Sequence, residues 1–98
     1  MKALRIMTVC GFGLGTSLIL RMTVDEVLSK HKIKADTFCV DADTAVGQNF
    51  DIVITSQDME KLFKDCNQPV VVIDNFLSTD EVEEKAIPVI QRALEERG

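Results

Sequence analysis

Ala3-Leu-Arg-Ile-Met-Thr-Val-Cys-Gly-Phe-Gly-Leu-Gly-Thr-Ser17 is the stretch that decides the fold. Its first seven residues, Ala3 to Val9, are nearly continuous in apolar and β-branched types, the pattern of a strand buried on both faces. They run into a glycine cluster and then into a helical pattern from Thr16 to about Lys30, with Leu20, Val24, Val27 and Leu28 on one face. A buried strand that feeds a helix through a glycine-rich turn is the opening unit of a parallel α/β sheet.

The remainder of the chain repeats that unit. Asp51 to Thr55 (DIVIT) and Val70 to Ile73 (VVVI) read as buried strands, whereas Ala35 to Val40 (ADTFCV) alternates as an edge strand would. Helical patterns cover Gln57 to Lys64 and Thr79 to about Glu96, the latter with Val82, Ala86, Ile87, Ile90, Ala93 and Leu94 on its apolar face. Ala42 to Asn49 fits either a short helix or a loop. Ser78-Thr-Asp-Glu81 has the form of a capping box, with Ser78 accepting from the N–H three residues on and Glu81 reaching back. Pro88 sits inside the last pattern, where the missing donor and the ring clash predict a kink or a break. The 98 residues leave room for one domain, and 46% hydrophobic content gives it a core. The expectation is a single three-layer α/β domain over residues 1–98, with a four-stranded parallel sheet in the order 2-1-3-4 and helices on both faces. Ligands of such sheets bind beyond the carboxyl ends of the strands, between the first and third. Here the glycine loop lies on one side of that point and Thr55-Ser-Gln57 on the other.

Composition narrows the function. Sixteen acids against eleven bases give a net charge of -5, and with no run of Lys or Arg the phosphates of a nucleic acid would be repelled. The apolar stretches fall well short of the roughly 20 residues of a membrane span, and strand-like sequence follows Met1 in place of a signal peptide, so we expect a cytoplasmic protein without membrane insertion. Cys10, Cys39 and Cys66 form no C-x-x-C pair, which suits neither a disulfide framework nor a thiolate metal site. No metal or cofactor is expected. From Met1 to Val24 the charges are Lys2, Arg5 and Arg21 with no acid, which fits either an anion near the N-terminal quarter or a buried first strand and helix with little room for carboxylates.

The loop Cys10-Gly-Phe-Gly-Leu-Gly-Thr-Ser17 supplies a place for that anion. Glycines at 11, 13 and 15 free the backbone to curl with its N–H groups inward, at the positive end of the following helix. The N–H groups of Gly11, Phe12, Gly13, Leu14, Gly15, Thr16 and Ser17 are therefore the candidate phosphate-binding set, with the Thr16 and Ser17 hydroxyls as further donors. Cys10 would face those donors and the helix dipole, both of which favour thiolate over thiol, so it is the candidate nucleophile. A tight turn alone needs neither three glycines nor the two hydroxyls that follow. Cys39, in a strand, and Cys66, in a polar loop, read as packed or incidental thiols. His31, at the end of the first helix, reads as a solvated cap that suits the dipole and not as a base.

Three functions compete for such a loop. A dinucleotide module wants G-x-G-x-x-G, and the third glycine position is Thr16. A cysteine-dependent, low-molecular-weight phosphatase-like enzyme has C-x5-R-S/T after a strand; here Thr16 stands at the arginine position, followed by the expected hydroxyl at Ser17. That enzyme also needs a general acid for the leaving alkoxide, and no candidate is evident. A phosphoryl carrier needs neither, because the transfer is mainly positioning and electrostatics and a phosphohistidine donor leaves as imidazole.

The first strand, this loop, Leu18-Ile-Leu-Arg-Met22, the DIVITS strand end and Val-Ile-Asp-Asn-Phe-Leu77 together resemble the B component (enzyme IIB) of the bacterial phosphoenolpyruvate-dependent sugar phosphotransferase system. The similarity is greatest to the ascorbate-type branch of its lactose/cellobiose-like superfamily. The resemblance covers nearly the whole chain. It implies a phosphatase-like phosphate loop and a phosphocysteine at Cys10, loaded from a phosphohistidine on a IIA component. The phosphoryl group then passes to a sugar, ascorbate-like or other, bound by a membrane IIC component. In such a family sugar selectivity lies in IIC.

Overall fold

The computed structural model describes residues 4–9, 14–45 and 47–97. Four strands, β1 (Leu4–Val9), β2 (Ala35–Val40), β3 (Ile52–Thr55) and β4 (Val70–Val72), form one parallel sheet in the order β2-β1-β3-β4. Around it lie α1 (Leu14–Lys30), α2 (Ala42–Ala45), α3 (Gln57–Glu60) with a 3-10 turn (Lys61–Phe63), and α4 (Thr79–Arg97). This is the architecture the alternation of strand and helix patterns requires, and Ala35–Val40 is the edge strand its partial burial makes it.

Side chains alternate across the sheet, so neighbouring residues of β1 serve different layers. Leu4 and Ile6, with Ile52, Ile54, Val71 and Ile73, meet Leu20, Val24, Val27 and Leu28 of α1 and Val82, Ala86, Ile87 and Ile90 of α4. Met7, Val9 and Val53 face the opposite side, where Ala45 of α2 and Phe63 of the 3-10 turn cover them. Each aliphatic side chain buried this way contributes about 1.5–3 kcal/mol, so the α1/α4 layer carries most of the stability. At the amino edge, Arg5 and Asp51 join β1 to β3 twice: the Asp51 amide donates to the Arg5 carbonyl and the Asp51 carboxylate accepts from the Arg5 amide, both at 2.8 Å.

Three local expectations change. α1 starts at Leu14, two residues before the predicted Thr16, because the leucine and glycine that read as loop enter the first helical turn. α4 runs as one element through Pro88, which is exposed, while Val82, Ala86 and Ile87 before it and Ile90 after it hold both halves on the sheet. The capping box is half made: the Glu81 amide donates to Ser78 Oγ at 3.1 Å, but the Glu81 carboxylate reaches past Ser78 to other donors described below.

The end of α1 is closed by an αL residue. Lys32 has φ 57°, and the Lys32 amide donates to the Ser29 carbonyl (3.1 Å) and the Ile33 amide to the Leu28 carbonyl (2.9 Å), the paired bonds that end a helix and turn the chain into β2.

Candidate functional site

Three strand-to-helix connections leave the carboxyl ends of β1, β3 and β4. The first contains the predicted nucleophile. Cys10, Gly11, Phe12 and Gly13 lie outside the described residues. Leu14, Gly15, Thr16 and Ser17 form the first turn of α1, which carries no acidic residue. The first N–H groups of a helix have no partner within it, and the aligned peptide dipoles put partial positive charge there. Four of the candidate phosphate-binding residues are therefore in a turn whose backbone favours an anion. Gly15 is exposed, and a Cβ built on it would meet nothing within 4 Å, so its need for glycine does not come from crowding by the chain itself.

The second connection leaves β3 at Thr55. β1 and β3 pair in parallel up to Val9 opposite Thr55, and the buried Thr55 hydroxyl donates to the Val9 carbonyl at 2.8 Å. That carbonyl belongs to the peptide bond joining Val9 to Cys10. The Thr55 carbonyl in turn accepts from the Ile73 amide at 2.9 Å, so one residue links the ends of three strands. Ser56 follows in extended conformation (φ -94°, ψ 167°) at the start of α3. Its hydroxyl makes no capping bond and is buried without a hydrogen-bond partner, the one such side-chain atom among the described residues.

The third connection, from β4 to α4, is held by Glu81. Its carboxylate accepts from the Asp74 and Asn75 amides, both at 2.8 Å, and pairs with Lys85 Nζ at 2.6 Å. Burial pushes the Glu81 carboxyl up, but the Asp74 amide, Lys85 and the Asn75 amide together outweigh it and hold it below its ordinary value of 4.5. The same bond to Glu81 raises Lys85 above its ordinary value. Thr23, buried on α1, donates to the Phe76 carbonyl at 2.6 Å and so fastens this turn to the helix that starts at the loop. Leu18, Ile19 and Met22 on α1, and Leu77 in the turn, are large apolar side chains left exposed at this end of the molecule.

The other sequence candidates are elsewhere. Cys39 and Cys66 are half-buried free thiols; Cys66 packs beneath the second layer and contacts the Gln68 carbonyl at 3.4 Å. His31 is exposed at the end of α1, as expected of a solvated cap, and makes in addition a pairing the sequence does not signal: its Nε2 lies 2.6 Å from Glu83 Oε1 of α4, with Lys30 Nζ 3.5 Å from the same oxygen. The hydrogen bond from His31 is the main reason the Glu83 carboxyl is held below its ordinary value. Two residues so far apart in sequence give no local signal of their pairing. Sequence reasoning placed Thr55 and Ser56 at the site but not their roles, and it missed Thr23, because a threonine inside an amphipathic helix looks like any helix position.

Among the described residues no group of three His, Cys, Asp or Glu could hold a metal, and no helix is long and apolar enough to cross a membrane. A groove lined by Leu4, Asp51, Pro69, Val89, Arg92 and Glu96 opens at the amino ends of the strands, the end of an open α/β sheet away from its usual ligands.

Residues 5–86 match the family described as PTS system, Lactose/Cellobiose specific IIB subunit. Among solved structures the chain is similar to the lactose-specific IIB component domain of the phosphoenolpyruvate:carbohydrate phosphotransferase system from Streptococcus pneumoniae. The two are 16% identical and superpose with a TM-score of 0.55 over 99% of this chain and 100% of the other, which shows a shared fold. No curated protein sequence matches the chain.

Proposed function

The chain belongs to the lactose/cellobiose-specific IIB subunit family of the sugar phosphotransferase system, and from that membership we propose that it carries a phosphoryl group on Cys10. Membership itself gives the chain a part in phosphotransferase-system sugar phosphotransfer, where IIB components work with IIA and IIC components. The proposal adds the chemistry. The Cys10 thiolate attacks the phosphorus of a phosphohistidine on a IIA component; the P–S bond forms as the P–N bond breaks and the imidazole leaves with the bonding pair. A sugar hydroxyl held by a IIC component then attacks the same phosphorus; the P–O bond forms as the P–S bond breaks, the hydroxyl proton passes to solvent, and the thiolate leaves with the bonding pair. The N–H groups of Gly11 to Ser17, and the Thr16 and Ser17 hydroxyls, take the charge of the phosphoryl oxygens in both transfers. The acceptor sugar, ascorbate-like or another, is set by IIC. We place the carrier in the cytoplasm, as one domain over residues 1–98.

One observation carries this reading: the family match spans a chain whose α1 opens at Leu14, inside the glycine loop, with no acid in its first turn. The exposed Leu18, Ile19 and Met22 on the same helix suit the centre of a contact with a donor protein, since the buried core of such contacts is depleted in charge and more apolar than the rim.

The test is intact-mass spectrometry after incubation with phosphoenolpyruvate, the general phosphotransfer proteins and candidate IIA components. Wild type and the Cys39→Ala/Cys66→Ala double variant gain one phosphoryl group; Cys10→Ser folds and does not gain a thiol-linked one. Loss of the group in the double variant with retention in Cys10→Ser overturns the assignment. Hydrolysis of an aryl phosphate with turnover, and no uptake from phosphohistidine, would make the protein a phosphatase-like enzyme instead.

A further inference from the structure

We infer that the Ser56 hydroxyl is a phosphoryl-oxygen donor at the carboxyl ends of β1 and β3. A buried hydroxyl left without a partner is destabilising, and chains keep few of them. Ser56 Oγ is such a group. Serine before a helix ordinarily spends its oxygen on a helix N–H. Here the Met59 amide donates to the Ser56 carbonyl at 3.1 Å, and the side chain makes no capping bond. The local backbone is thus served without the hydroxyl.

Its position gives the vacancy a use. Ser56 is the residue after Thr55, whose Cα pairs with that of Val9 in the last step of the β1·β3 ladder. It therefore stands at the point between the first and third strands where open α/β sheets place their ligands. The neighbouring hydroxyl, on Thr55, is already committed to the Val9 carbonyl. The ligand chemistry at this end is anionic, because the first turn of α1 offers backbone donors and no acid. An O–H donor suits a phosphoryl oxygen and adds no charge, which leaves the proposed phosphocysteine without a guanidinium that would also stabilise attack by water.

The inference rests on the phosphoryl-carrier reading, and two probes separate the failure of one from that of the other. Wild type and Ser56→Ala are titrated with inorganic phosphate, followed by amide chemical shifts, and both are loaded from a phosphorylated IIA component. Removing an orphaned hydroxyl should leave the melting temperature of the unloaded variant equal to or above that of wild type. Phosphate binding should weaken about fivefold and loading should slow by a similar factor, the value of one ordinary hydrogen bond. Equal phosphate binding by the two proteins, or no binding by wild type, overturns the inference. So does a variant that melts lower and loads at the wild-type rate, which would make Ser56 a structural residue. If neither protein loads but phosphate binding still weakens in the variant, the Ser56 assignment stands and the Cys10 reading falls.

Discussion

The Thr55 side chain bonds to the peptide group that precedes Cys10, the proposed nucleophile. The Thr55 hydroxyl fixes the Val9 carbonyl at 2.8 Å in a fully buried setting. A peptide group is planar, so the direction of that carbonyl also sets the direction in which the chain leaves β1 toward Cys10. Thr55→Val keeps the shape and the β-branch and removes only the donor. We expect the folded variant to take up phosphoryl groups about tenfold more slowly, since small misplacements of a reacting group are costly, while losing about 1 kcal/mol of stability. Thr55→Ser restores the donor and should restore the rate. Uptake kinetics well below the melting temperature decide the matter: a Thr55→Val variant that is less stable but equally fast would make the bond purely structural. The residue's address at the end of a buried strand was legible in the sequence, because DIVIT ends where the turn signals begin. Its partner was not, because a hydrogen bond between positions 46 residues apart depends on strand register, which no local pattern contains.

At the scale of elements, what the sequence showed well was period and what it showed poorly was ends. The apolar spacing of α1 and α4 and the β-branched runs of β1, β3 and β4 are consequences of burial, and burial recurs along the chain at the period of the element. Ends depend on single bonds with several possible partners. Leu14 and Gly15 read as loop because glycine is a poor helix former, but in a first turn the donors it exposes are unpaired in any case. Glu81 is the sharper example. Its sequence position suggests a carboxylate folded back on Ser78, and it instead binds the Asp74 and Asn75 amides of the β4–α4 turn. Because its folded value is lowered, the carboxylate stabilises the protein fully above the unfolded value near 4.5 and loses that contribution as pH falls through the folded value. Glu81→Gln replaces charge-assisted bonds with weaker neutral ones and should cost about 1–2 kcal/mol at neutral pH. The gap in melting temperature between wild type and variant should begin to close as pH drops below the ordinary value of 4.5. A gap that persists unchanged to pH 3 would show that the turn does not depend on the ionised carboxylate.

Across the whole molecule the two faces of the sheet are unequally covered. On one face α1 and α4 bury eight side chains against the strands and are tied to each other by the His31–Glu83 pair at 2.6 Å and to the β4–α4 turn by Thr23. On the other face the covering layer is two four-residue helices and a 3-10 turn, and among its described residues only Ala45 and Phe63 are buried, Phe63 edge-on to Phe50 at 5.9 Å. Stability is not uniform in such a molecule, since a segment with little buried area opens without unfolding the rest. Native-state amide exchange should therefore separate the chain into two units. Amides of α1, β1, β3 and α4 should exchange only through global unfolding, with a strong dependence on urea. Those of residues 57–63 should exchange at least about tenfold faster and with little urea dependence, as local openings do. The division runs through the site, because β1 and α1 belong to the stable unit while Ser56 and Gln57 begin the weaker one. A phosphate ligand held by both would have to suppress the local opening, so protection at residues 57–63 should rise with added inorganic phosphate while that of α4 does not. Equal protection of both units in the free protein would show that the thin face folds and unfolds with the core. Phosphate-independent exchange at residues 57–63 would show that the β3–α3 connection takes no part in holding the anion.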